Sequence, residues 1–485
     1  MLYRVPSSHF SSQAIFYANR LNSNVAAYQK QIASGMRLHR PSEEPVSFRQ
    51  ASSLTAQMEQ LDADYFIIRD SESKLNQSVS ILTEAADLLS TAKVLTQQGI
   101  QSLSQSERDA LAIEVENILA GMKRIAQTQA AGAFIFGGAR TNANPFTFGE
   151  RSVAGGTLPV TYNGSEVTSR AFVGATLTVD TYYPGHNIFG RFERKDAQIF
   201  GSTGAKIGQG TANIIGRATL QVRHTETIFA PGSGIAAGTS SPGNDSIIGP
   251  SGVHFVEIID TVGDGSAGTI SLNGGPEFAF SNADTNLEIR DRSGNRIFVN
   301  TTNITAGFFG TVNIQANGTL SVDNGLSSLA IDFSSSQTVV DSTTNRFVHI
   351  DSTSIKAVGD DYLEFPGTSN AFQILDEIVQ DLRGARNLSN ADFAHSLDRR
   401  LSELDIVANN ILDTVGRQSA TLYSLRQLDS RVADFRTDAE ERLSIIQSTN
   451  IADAIMRLTN DQNLLQYTYA ITAQIASVQL LNFLR

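Results

Sequence analysis

The sequence predicts a multidomain α+β protein: a long antiparallel coiled-coil-like helical bundle formed by both termini, with antiparallel β-rich domains inserted between them. Three observations predict this. Apolar residues recur every seven positions through the first third of the chain. The same spacing returns in the last third. Between them, Asn-Gly pairs separate short β-type runs. With 485 residues, and roughly 150 residues per domain, about three units are expected.

The composition sets the limits of this reading. Apolar residues make up 41% and charged residues 18%, which are globular values that exclude wholesale disorder. A net charge of -12 with no Lys/Arg-rich run argues against nucleic acid as a partner. There is no cysteine, so disulfides, thiolate metal sites and cysteine nucleophiles are excluded. The stretch from Met1 to Phe16 carries Arg4, Pro6 and His9 where a signal peptide needs an apolar core, so no cleaved signal peptide is expected. Asn463 to Leu484 lacks charge but carries glutamines and hydroxyls, and reads as a helix rather than a membrane insertion.

Taken in order, Ala18, Leu21, Val25, Tyr28 and Ile32 form a heptad stripe that stops at Gly35, a residue suited to a left-handed helix end. Pro41 to Pro45 then breaks the helix. Leu54, Leu61, Ile68, Leu75, Leu82 and Leu89 mark a long second helix, with Glu72 and Lys93 as charged intrusions in its seam. Ser106, ahead of Glu107, is the expected N-cap of a third helix striped by Leu111, Val115, Ile118, Met122 and Ile125.

Hairpins are expected at Asn163-Gly164, Asn273-Gly274, Asn317-Gly318 and Asp291 to Asn295, with linkers at Gly201 to Gly210 and Ala230 to Pro250. The last third reads as nearly continuous helix, through Leu401, Leu404, Ala408, Ile411 and Val415 and then Leu425, Leu428, Val432 and Phe435. The expected division is 1–50 with 440–485 as a terminal helical assembly domain and 51–140 with 366–439 as a helical bundle. Residues 141–200 form a β-rich domain and 201–365 an additional β-rich insertion.

The outermost helices carry apolar residues with no other core near them. Leu21, Val25, Tyr28 and Ile32 at one end, and Leu465, Ile471, Ile475, Val478, Leu481 and Leu484 at the other, are expected to be covered by other subunits. Burying such stripes, at about 0.8 kcal/mol per methylene, offsets an ordering cost of about 1–2 kcal/mol per residue. Disorder in the free monomer and order in the assembly are therefore expected.

No catalytic, cofactor or metal residues emerge. The seven histidines are scattered and make no zinc-type i,i+4 pair. Glu43-Glu44 favours a helix N-terminus, the glycines of Gly201 to Gly216 lack a phosphate-loop ending, and Asp260 to Gly268 and Asp360-Asp361 read as turns.

The run Gln31-Ile-Ala-Ser-Gly35-Met-Arg37-Leu-His-Arg40-Pro41-Ser-Glu-Glu-Pro45-Val46 resembles the N-terminal signature of the flagellin superfamily. Its Pro-Ser-Glu-Glu-Pro form is similar to the hook-associated members. Phe134-Ile-Phe136-Gly137-Gly138-Ala-Arg140 with Asn144-Pro145-Phe146, and Tyr162-Asn-Gly leading to Pro184-Gly185, resemble that family's passage from helical bundle into β domain; Asp453 to Leu484 resembles its terminal helix. The resemblance covers about residues 1–200 and 370–485. It implies a non-enzymatic structural subunit outside the cell, at the hook-filament junction. It further implies type III export with a cytoplasmic export chaperone, and self-association in a ring or tube between a neighbouring hook-associated protein and flagellin. Filament flagellin and a β-rich surface adhesin or fibre are the alternative readings.

Overall fold

The computed structural model describes residues 7–101, 104–151, 156–174, 177–190, 193–250 and 252–483. Its helices are α1 (Ser7–Ser34), α2 (Pro45–Ile100), α3 (Gln105–Ala126), α4 (Gly185–Phe189), α5 (Ala371–Leu382), α6 (Asn390–Gln447) and α7 (Ile451–Phe483). The chain divides into two compact units. One comprises Met1–Ser73, Ala171–Val179 and Ala420–Arg485, the other Lys74–Arg170 and Asp180–Ser419.

In the first unit, α1 packs against α7, and the start of α2 runs antiparallel to the end of α6. The direction is fixed by ion pairs. Asp62 meets Arg436 at 3.0 Å and Arg69 meets Asp429 at 2.8 Å, so seven residues up one helix correspond to seven down the other. Ala171–Val179 joins this unit through Gly174, whose amide donates to Asp64 at 2.9 Å.

In the second unit the heptad of α2 is buried as its spacing requires: Leu75, Leu82 and Leu89 are inaccessible. Ser78, Ala85 and Ala92 occupy the alternate core positions and are also buried. At Gly99 a Cβ would lie 2.6 Å from Leu382 Cδ2, so the leucine side chain packs directly on the helix there. Lys93, predicted in the seam, is half-exposed and pairs with Asp405 at 2.5 Å.

Two expectations about these helices shift. The N-cap of α3 is Ser104 rather than Ser106. Glu107 closes a capping box from the third helical position, donated to by the Ser104 amide at 2.8 Å, a spacing Ser106 cannot offer. In α6 the buried seam is Leu397, Leu404 and Ile411 in the second unit and Leu425, Val432 and Ala439 in the first. Gln418 is also buried, whereas Phe435 is 56% exposed. Leu401 and Leu428 lie beside the seam, half-buried.

The main sheet of the second unit has eight strands. Seven lie in the order Glu277–Ser281, Ala267–Leu272, His254–Asp260, Phe309–Ser321, Gly216–Phe229, Gly359–Phe365 and Gln198–Phe200, and Leu329–Ala330 pairs with Phe309–Ser321. Gln198–Phe200 thus belongs to the sheet of the 201–365 strands. Hairpins form as expected at Asn273-Gly274, both at positive φ, and at Asp291 to Asn295, where the Asp291 carboxylate accepts from the Ser293 and Asn295 amides at 2.8 and 2.9 Å.

Asn317-Gly318 is not a turn. It is a bulge inside the strand Phe309–Ser321, where a Cβ on Gly318 would meet Ile247 Cδ1 at 2.6 Å. Asn163-Gly164 follows a strand paired backward, Val160–Tyr162 on Phe146–Phe148, so it joins no hairpin.

Neither expected linker is one. Thr203, 1% exposed, is hydrogen bonded to the Asp361 carboxylate through its amide and hydroxyl. Asp245, fully buried, accepts from Ser241 Oγ at 2.6 Å and the Phe298 amide at 2.8 Å. Satisfied carboxylates hold both glycine-rich stretches, which composition cannot reveal. Asp361 itself lies in a strand, not a turn.

The sheet is joined to the helices of this unit by a buried ionic cluster. Arg400 in α6 lies 2.9 Å from Glu364 and 2.8 Å from Glu377, and also bonds Glu403. Arg386 forks onto Asp381 with two 2.8 Å bonds and reaches Glu364 at 3.2 Å. Arg217, in Gly216–Phe229, meets Asp381 at 2.8 Å. Burial opposes ionisation of Glu364, but Arg400, Arg399 and Arg386 together hold its carboxyl down at about 2.

Candidate assembly surface

The helices α1 and α7 lie at the chain ends, and each has one covered stripe. On α1, Ala18 is buried and Leu21, Val25, Tyr28 and Ile32 are half-buried; on α7, Ala454 is buried and Leu458, Leu465 and Thr468 are half-buried. Asn24 donates to Asp461 at 3.1 Å and Asn22 to the Tyr469 hydroxyl at 2.9 Å, so the two helices run antiparallel.

The rest of each surface remains open. Ile15, Phe16 and Tyr17 on α1, and Met456, Leu464, Tyr467, Tyr469 and Ile471 on α7, are exposed, Tyr467 by 68%. A surface helix normally confines large apolar groups to one covered face, and these helices do not. Of the residues expected to meet other subunits, Leu21, Val25, Tyr28, Ile32 and Leu465 therefore stand half-covered within this unit, and Ile471 is free. Ile475, Val478 and Leu481 are helical, but their side chains, like Leu484 altogether, lie outside the described residues. The heptad stripe alone does not reveal the exposed aromatic residues, since Tyr467 and Tyr469 fall off it.

The segment between α1 and α2 is an ordered clasp. Gly35 ends α1 at φ +68°. The next residues pair with the connection between α6 and α7: the Arg37 amide donates to the Gln447 carbonyl at 2.6 Å and the Thr449 amide to the Gly35 carbonyl at 3.0 Å. Arg37 Nη2 donates to the Ile446 carbonyl at 2.9 Å, capping the end of α6, while Nη1 pairs with Glu44.

Glu43 accepts from the His39 amide at 2.8 Å and the Arg40 amide at 3.3 Å, bonds that hold its carboxyl below the usual range. Arg40 and Pro41 are exposed in this turn, and Pro45 is the first residue of α2, where its missing N–H costs nothing. The expectation that Glu43-Glu44 merely favours a helix dipole is too narrow: one carboxylate caps the turn and the other holds Arg37.

Phe136, Gly137 and Gly138 belong to the second unit. Phe136 is buried edge-to-face on Phe189 at 5.1 Å. Its carbonyl accepts from the Gly185 amide at 2.8 Å and the Tyr162 hydroxyl at 3.1 Å, and burial pushes that phenol up to about 12. A Cβ on Gly137 would meet the Arg140 carbonyl oxygen at 2.1 Å, and Gly138 sits at φ +61°. These residues build a turn and a core. No cluster of metal-ligating side chains occurs among the described residues, and none of the described helices is long and apolar enough to cross a membrane.

Residues 8–141 match the family described as bacterial flagellin N-terminal helical region. Flagellar hook-associated protein 3 of Salmonella typhimurium is 28% identical over 163 residues, 33% of this chain, and the match spans 48% of that relative's length. Among solved structures, flagellar hook associated protein-3 from Legionella pneumophila is 14% identical, with a TM-score of 0.42 over 81% of this chain and 98% of its own. Xanthomonas campestris FlgL is 15% identical, with a TM-score of 0.39 over 79% and 98%. Over residues 8–141 the chain is similar to the bacterial flagellin N-terminal helical region, and over 163 residues to flagellar hook-associated protein 3.

Proposed function

We propose that this chain is a non-enzymatic structural subunit of the bacterial flagellum that joins hook to filament. The observation that carries the proposal is the α1–α7 pair, covered along one stripe and open over Phe16, Tyr17, Tyr467, Tyr469 and Ile471. At about 1.5–3 kcal/mol for each large apolar side chain buried, neighbouring copies gain by covering that surface. The subunit self-associates in a ring or tube between a neighbouring hook-associated protein and flagellin. It reaches the cell exterior by type III export, with a cytoplasmic chaperone. Residues 1–50 with 440–485 act as the assembly domain, 51–140 with 366–439 as the bundle, and 141–200 and 201–365 as β-rich domains.

Removing residues 463–485 should leave the β-rich part folded and abolish incorporation at the hook's outer end, read by imaging labelled protein on intact flagella. Normal incorporation of the truncated chain refutes the proposal. Long filaments formed by the purified protein alone would favour filament flagellin instead.

A further inference from the structure

The buried stripe of α6 repeats every seven residues, and one member breaks its chemistry. Within the unit built from Lys74–Arg170 and Asp180–Ser419 the stripe runs Leu397, Leu404, Ile411 and Gln418, each at most 1% exposed. A single polar residue at a core position of such a seam costs stability. Gln418 is fully buried, and neither its Oε1 nor its Nε2 has a hydrogen-bond partner among the described residues.

The surroundings explain why this amide is left alone. Lys93 of α2 pairs with Asp405 of α6, so in the antiparallel register Gln418 stands level with position 80 of α2, between Ser78 and Leu82. Leu75 and Leu82 are inaccessible and offer nothing to bond, and no bond forms to Ser78. The hydroxyl one turn back on α6 is engaged elsewhere: Thr414 Oγ1 donates to the Asn410 carbonyl at 2.9 Å and accepts from Arg417 Nη2 at 3.2 Å. Buried polar groups are normally paired, and one that is not has given up water without replacement.

A second weakness lies two residues away, in the backbone. Gly416 is the one glycine in the 58 residues of α6. Gly35 has its reason in a φ of +68°, and Gly137 in a Cβ that would lie 2.1 Å from the Arg140 carbonyl oxygen. Gly416 has neither: it is exposed, its φ is not left-handed, and a Cβ there would meet no atom within 4 Å. A glycine inside a helix leaves the backbone freer and more open to water than alanine does. An unpaired core amide and an unneeded glycine thus weaken the same turn, from independent causes.

We propose that the turn around Gly416 and Gln418 is a built-in joint of α6, where the helix opens and bends while the Leu404 and Ile411 layers stay packed. Such a joint does not depend on the junction role.

Amide hydrogen exchange on the full-length protein, followed by mass spectrometry of α6 peptides, tests this. Amides of residues 416–422 should exchange at least about tenfold faster than those of 404–411 after correction for intrinsic rates. Gly416→Ala adds a methyl group in open space, and Gln418→Met keeps the length of the side chain and removes the unpaired amide. Each should slow exchange over 416–422 at least about threefold, and both together should bring it within about threefold of 404–411 while raising Tm. Equal exchange of the two segments in the unaltered chain, unchanged exchange in either variant, or a lower Tm in Gln418→Met overturns the proposal.

Discussion

Replacing Arg400 with methionine tests what holds the main sheet to the helices of its unit. The Arg400 side chain is 1% exposed, lies 2.9 Å from Glu364 and 2.8 Å from Glu377, and bonds Glu403. Methionine keeps much of the length and removes the charge. Glu364 retains Arg386 at 3.2 Å and Arg399 at 2.5 Å, but Glu377, whose side chain is 0% exposed, loses its nearest cation. Leaving a buried charge uncompensated costs about 3–5 kcal/mol. At about 2–4 °C per kcal/mol for a large domain, Tm should fall by about 6–20 °C. Scanning calorimetry with urea unfolding measures this, and adding Glu377→Leu to Arg400→Met should recover part of the loss. A loss below about 1 kcal/mol in the single variant, or a double variant less stable than the single, would refute the reasoning.

The same cluster predicts an acid response. Glu364 titrates near 2 in the folded chain against 4.5 for the free group, so its contribution is complete above about 4.5 and is lost as pH falls towards 2. Glu364→Gln should flatten stability over that interval, measured by urea midpoints at stepped pH. Gly138→Ala combines a φ of +61° with a Cβ 2.4 Å from the Ser165 carbonyl oxygen, and should destabilise by about 1–3 kcal/mol, read by urea unfolding. Arg37→Ala removes the donor to Ile446 and should cost about 0.5–1.5 kcal/mol, with faster amide exchange at Thr449 as its signature. Tyr467→Ser with Ile471→Ser should leave monomer Tm within about 2 °C and sharply reduce incorporation into flagella, because both side chains are exposed in the monomer.

The helical elements were the most legible part of the chain. A period of seven, repeated from Leu54 to Leu89, suits a helix seam and no strand, and Gly35 and Pro45 bracket the break between the first two helices. Position within a stripe was less legible. Leu397, Leu401 and Leu404 look alike in sequence, and only the packed neighbour decides which of them is covered. Asn317-Gly318 shows the same limit for turns: the dipeptide permits a hairpin, but pairing on both sides of Phe309–Ser321 turns it into a bulge. The candidate surface was half legible, since the stripes of α1 and α7 mark both helices, but the exposed Tyr467 and Tyr469 lie off the heptad.

The sequence by itself determined the order of helical, β-rich and helical thirds, the end of α1 and the start of α2, and the apolar character of both extremities. These follow from short-range rules of spacing, capping and backbone freedom. The tertiary structure alone decided that Arg37 clasps the end of α6, that Asp245 and Asp361 order the glycine-rich stretches, and that Arg217, Glu364, Glu377, Asp381, Arg386 and Arg400 meet in one buried cluster. Apart from Arg386 and Asp381, those partners lie tens to hundreds of residues apart. Whether a charge is solvated or buried against its opposite depends on which distant segments fold onto it, and no local pattern carries that information.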